Sequence, residues 1–167
     1  MATTRQSINP QLLELIGAIV VSTQDAERYL KVILPFTNAQ DPSLSGAISR
    51  REKLKKRTLG DLVGTLVDSS TQNSERLKQH LTYLVEQRNR VIHHFGETYG
   101  QQLRSGNSHQ VLESLKVLLA NVDAFRAAME EMALRLFEAM RDTTFHGTPE
   151  YEEFAELCAT FRRSLGR

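Results

Sequence analysis

The chain predicts an all-α fold, an antiparallel four-helix bundle with an additional C-terminal helix. Three observations lead there. Long stretches repeat apolar residues at spacings of three and four. The 167 residues hold only nine glycines and four prolines, most of them where helices begin or end. No stretch alternates apolar and polar residues for long enough to make a strand. Helices of this length, joined by short polar turns, pack as a bundle of antiparallel neighbours.

The elements follow in order. Asn9-Pro10 opens the first helix with a cap and a proline at its first position. Leu12, Ile16, Ile19, Thr23, Ala26, Leu30 and Ile33 then mark its inner face, and it ends near Pro35. Residues 36–47, rich in Asn, Asp, Pro, Ser and Gly, read as a loop. A basic run follows, Arg50, Arg51, Lys53, Lys55, Lys56 and Arg57. Thr58, with Asp61 three residues on, caps a short helix whose apolar set is Leu59, Leu62, Val63, Leu66 and Val67. Residues 68–73 read as a polar turn. A helix is expected from about Ser74 to Glu97, with Gly100 and Gly106 marking the loop beyond it. A long helix from about Ser108 to Asp142 carries Val111, Leu115, Leu118, Val122, Phe125, Met129, Met132, Leu136 and Met140. Thr148-Pro149-Glu150 opens a terminal helix that ends near Leu165.

Composition narrows the functional classes. A quarter of the residues are charged and the net charge is +1, so a polyanion would have to be held by a local patch. The single Cys158 allows no internal disulfide and suits a reducing compartment. The expected location is cytoplasmic, with no membrane partner, since residues 15–21 are too short to span a bilayer and no signal-peptide pattern is visible. No cofactor is expected. Nor is a metal, because adjacent histidines on a helix point apart and no Cys or carboxylate set joins His80, His93 and His94.

The residue that stands out is Arg88. At about 100° per residue, Leu81, Leu84, Val85, Val91, Ile92 and Phe95 fall within about 60° of its direction. An unpaired guanidinium within such a stripe is costly. A carboxylate such as Glu27, on the apolar side of the first helix, is one candidate to neutralise it. The other solution is a stripe that opens onto a cleft or a second subunit. Asn89 and His93, four apart, lie side by side on the stripe's shoulder, whereas His94 points about 120° away from Arg88.

The run LVEQRNRVIHHF, with Arg88-Asn89-x-x-x-His93, resembles the signature of the HEPN superfamily, whose members carry an arginine, four to six residues and a histidine. Arg104/His109 and Arg141/His146 have the same spacing, but neither has an amide after the arginine and neither lies in an apolar helical stripe. The resemblance covers about residues 10–145, the expected HEPN-like bundle, and leaves residues 148–166 as a separate C-terminal helix.

The resemblance implies a metal-independent endoribonuclease, a toxin or anti-phage effector with an antitoxin or other regulatory partner. In that chemistry His93 suits the acid/base role and Arg88 the stabilisation of a phosphorane. Asn89 would orient the imidazole or hold the phosphate. The resemblance also implies a homodimer built on the 74–97 helix, with two motifs facing one cleft. Phe95 departs from one subfamily, whose toxins carry a modifiable tyrosine two residues after the histidine. For the RNA backbone the candidates are Arg50, Arg51, Lys55 and Lys56. The alternative is a non-catalytic HEPN-like helical module for dimerisation or RNA binding. A separate, structural reading of His93 makes it a hydrogen-bonded core histidine. Tyr99 would stack on a base or, more simply, pack the bundle, and Cys158 reads as an inert buried residue.

Overall fold

The structure is a computed structural model, which describes residues 9–37, 41, 43–69 and 74–166. Among the described residues every regular element is helical: seven α-helices and one 3-10 turn.

α1 (Pro10–Ile33) begins as its sequence predicts. The Asn9 side chain accepts from the Gln11 amide and Pro10 takes the first helical turn, where a missing N–H costs nothing. Pro35 converts the chain to a 3-10 turn, Leu34–Phe36. α2 (Leu44–Leu54) occupies ground expected to be loop. Ser43 accepts from the Gly46 amide at 3.1 Å, and Leu44 and Ala47 are buried. That cap and that burial outweigh Gly46, and they make the first half of the basic run helical. α3 (Leu59–Asp68) carries the expected capping box, Thr58 with Asp61, and buries Leu59, Leu62, Val63, Leu66 and Val67. Of the turn expected at 68–73, Asp68 is still helical and Ser69 caps α3, and residues 70–73 lie outside the described residues.

α4 (Ser74–His93) is shorter than its sequence predicts. The chain leaves helical geometry at His94 (φ −127°, ψ 27°), and α5 (Phe95–Arg104) takes its place. The bend sets Phe95 and Tyr99 with ring centroids 5.2 Å apart, and Tyr99 is buried. Two aromatic anchors therefore seat a helix that packs on both α4 and α6, and Gly100 falls inside it. Gly106, at φ 81°, makes the reversal into α6, a left-handed conformation natural to glycine.

α6 (Ser108–Asp142) has its predicted span, and Val111, Leu115, Leu118, Val122, Phe125, Met129 and Ala133 are its buried residues. The inner face has drifted from Met132, which is 41% exposed, to Ala133, which is sealed. A 3.6-residue helix rotates away from a strict heptad by about 20° every two turns. α1 and α6 make the most extensive helix pair. The Ser22 hydroxyl donates to Asp123 at 2.6 Å and the Tyr29 hydroxyl to Glu130 at 3.4 Å. Both helices advance by the same step between these ties, so they run parallel. The expected antiparallel order does not extend to this pair.

α7 (Tyr151–Ser164) lies along the C-terminal half of α6. Phe154, fully buried, gathers Leu44, Phe145 and Cys158 into a second apolar cluster, while Phe161 and Leu165 pack on the main core. The terminal helix thus completes the end of the molecule that α2 also covers. No helix among the described residues is long and apolar enough to cross a membrane.

Candidate functional site

The stripe of α4 needs no second subunit to cover it. Leu81, Leu84 and Val91 are each 2% exposed within the single chain, and Val85 and Phe95 pack on the same core. Arg88 goes in with them: only 17% of its side chain is exposed. The chain's own packing covers the stripe, so the stripe by itself gives no ground for a dimer on this helix.

Two solutions for Arg88 coexist. Its Nη2 stands 3.8 Å from Glu27 Oε1 on α1, and the Glu27 side chain is 20% exposed. Its Nη1 donates to Asn89 Oδ1 at 3.0 Å and lies 3.4 Å from His93 Nε2. The structure therefore brings together all three residues of the motif and adds the carboxylate. Because a guanidinium only donates, the contact with His93 requires an Nε2 lone pair, hence a neutral ring with its proton on Nδ1. A further donor, Arg88 Nε, is buried without a hydrogen-bond partner among the described residues. Such a group costs about 1–3 kcal/mol, so the guanidinium is held by fewer bonds than it can make.

His93 is the last residue of α4 and is exposed, which rules out the core-histidine reading. The bend at His94 puts the imidazole at a helix end. His94 is exposed as expected, its Nδ1 3.1 Å from Glu97 Oε2. Tyr99 is buried in the bundle and so serves packing; burial is also the main reason its hydroxyl pKa is raised.

Lys31 is the component the sequence reading passed over. Its Nζ lies 3.9 Å from Glu27 Oε2 and donates to the Lys55 carbonyl at 3.2 Å. One polar chain thus runs from the end of α2 through Lys31 and Glu27 to Arg88 and His93. The signal was present in the spacing, since Glu27 and Lys31 form an i, i+4 pair on the helix face that meets α4.

Of the four basic residues expected to hold an RNA backbone, Arg51, Lys55 and Lys56 are exposed and Arg50 is not. Arg50 is turned inward, its Nε donating to the Pro35 carbonyl at 2.6 Å and its Nη2 buried. It ties α2 to the end of α1, so it is not a free phosphate ligand. Lys55 pairs with Glu52 at 2.6 Å. Arg51 borders an apolar groove between α2 and α7. Lys56 is exposed beyond the last turn of α2, close to the Lys31–Lys55 contact. Among the described residues no three of His, Cys, Asp and Glu gather as a metal-ligand set.

Neither a protein-family model, nor a curated protein, nor a solved structure matches this chain.

Proposed function

We propose that the chain is a metal-independent endoribonuclease of HEPN type, a toxin or anti-phage effector held in check by a regulatory partner, with Arg88, Asn89 and His93 as its site. The observation that carries this reading is the placement of Arg88 Nη1 between Asn89 Oδ1 and His93 Nε2, at an exposed helix end. A scissile phosphate that takes the Arg88 fork would draw Nη1 away from His93 and release the Nε2 lone pair. His93 then removes the 2′-hydroxyl proton, the 2′-oxygen attacks phosphorus, and the bond to the 5′-oxygen breaks as a water molecule protonates that oxygen, the imidazolium afterwards returning its proton to solvent. Arg88 offsets the charge that builds on the phosphorane oxygens. Asn89 holds the guanidinium in position.

The test is incubation of purified protein with end-labelled RNA in excess chelator. Expected products carry a 2′,3′-cyclic phosphate and a 5′-hydroxyl. Loss of activity in chelator, or 5′-phosphate products, would overturn the mechanism.

The Arg88–Glu27 pair favours a second reading from another class. In a non-catalytic helical module for dimerisation or RNA binding, Arg88 clasps α4 to α1, and Lys31 extends the clasp to α2. That reading expects no cleavage, and a fall in stability on removal of Arg88 with no other phenotype.

A further inference from the structure

The motif lies beside a basic turn that the proposed cleavage does not use. α2 ends at Leu54 and α3 begins at Leu59, and the connection carries Lys55, Lys56 and Arg57. Two independent contacts fix that turn at the motif end of α4. Before it, Lys31 Nζ donates to the Lys55 carbonyl at 3.2 Å and lies 3.9 Å from Glu27 Oε2. The other oxygen of that carboxylate is 3.8 Å from Arg88. After it, α3 meets α4 one turn before Arg88, where a Cβ on Gly60 would stand 3.6 Å from Val85 Cγ1. From there α3 runs back along α4, since Val67 and Asp68 share a cleft with Lys78. The chain ahead of Leu59 is therefore on the Arg88 side.

The turn is also preformed. The Lys55 amide donates to the Glu52 carbonyl at 3.3 Å and the Arg57 amide to the Leu54 carbonyl at 3.0 Å. Cations on a braced turn lose less freedom on binding than cations on a loose one. The acids nearby are already engaged. Glu52 pairs with Lys55, Asp61 accepts from the Thr58 amide and hydroxyl, and Glu27 lies between Lys31 and Arg88. Lys56 and Arg57 are exposed and make no ion pair among the described residues. On a chain whose net charge is only +1, these two cations form a local positive site next to Arg88.

We propose that Lys56 and Arg57 hold the RNA strand by phosphates that flank the one taken by Arg88. The inference rests on the reading of Arg88 and His93 as an RNase site, and it adds where the strand runs: from the end of α4, past Lys31, to the junction of α2 and α3. The turn offers only cations, so it grips the backbone and reads no sequence.

The test measures binding rather than cleavage. The affinity of His93→Ala for a labelled oligouridine strand is followed across a salt series, alone and combined with Lys56→Gln/Arg57→Gln. Loss of two phosphate contacts should flatten the slope of log affinity against log salt by about 1.4, a loss of about tenfold or more near 0.1 M salt. Lys56→Arg/Arg57→Lys keeps both charges and should bind as the parent does, which separates charge from folding. Arg76→Gln/Lys78→Gln removes equal charge from exposed residues about 22 Å or farther from His93 along α4, and should leave the slope unchanged. An unchanged slope in the turn variant, an equal fall in both neutralised variants, or a parent that binds no RNA at low salt would overturn the proposal. A wild type that leaves RNA intact, while the turn variants lose binding as stated, would sink the nuclease reading and leave this binding site standing.

Discussion

Glu27 and Arg88, 61 positions apart in the sequence, approach to 3.8 Å and join the first helix to the fourth. The pair is neither a surface bridge nor a sealed one, since each side chain keeps about a fifth of its surface in solvent. Exposed pairs contribute about 0–1 kcal/mol, whereas breaking a fully buried pair costs about 3–5 kcal/mol. Arg88→Ala should therefore cost about 1–2 kcal/mol, with Lys31 still beside the stranded Glu27. Glu27→Gln should cost less, because Arg88 keeps its other contacts. Urea unfolding of both single variants and the double variant measures the coupling. A coupling near zero would remove the pair as a link between α1 and α4.

Phe154 tests whether α7 belongs to the folding unit. Its ring is fully buried and stacked on Phe145 at 4.3 Å. Phe154→Ala is expected to lower stability by about 3–5 kcal/mol in a single transition shared by all probes. A separate, early transition confined to the terminal helix would show α7 to be an independent element.

Asp61 sets an acid limb to stability. The Thr58 amide donates to its Oδ2 at 3.1 Å and the Thr58 hydroxyl at 2.9 Å. These bonds hold the carboxyl below its ordinary range. A carboxyl depressed in the folded state contributes stability that is complete above the unfolded value, about 3.9, and is lost as pH falls through the folded value. Melting temperature against pH should therefore fall less steeply below about pH 4 in Asp61→Asn than in the wild type. Parallel curves would mean the capping box carries no linkage.

Cys158 is expected to resist modification. Its thiol is buried, donates to the Phe137 carbonyl at 3.6 Å, and burial pushes its pKa up. The reactive thiolate is correspondingly scarce. An aromatic disulfide reagent at neutral pH should label it only after denaturation. Rapid labelling of the native protein would contradict the packing of α7 on α6.

What was legible in the chain depended on how local its cause is. The starts of α1 and α3 are written in short signals, Asn9-Pro10 and Thr58 with Asp61. The long apolar period of α6 likewise marks its own span. α2 escaped notice because its support is distant: Leu44 gains its burial from the cluster around Phe154, more than a hundred residues on. The break at His94 was equally hidden. It follows from the packing of Phe95 and Tyr99 beyond α4, and the residues before it read as continuous helix. At the candidate site, Arg88, Asn89 and His93 share one helix, so their convergence follows from spacing. Glu27 was foreseeable as a carboxylate on the facing helix. The inward turn of Arg50 was not, since nothing in a run of cations tells which one meets a carbonyl such as that of Pro35.

The most direct test of the account is RNA cleavage by the wild type beside His93→Ala, assayed in chelator with the melting temperature of each protein recorded. His93 is exposed at the end of α4, so its removal should leave the melting temperature close to wild type. Cleavage by the wild type, abolished in a His93→Ala protein of unchanged stability, is the expected result. A wild type that leaves RNA intact, together with an Arg88→Ala variant that is destabilised and otherwise silent, would contradict the nuclease reading. Arg88 would then be a clasp between α1 and α4.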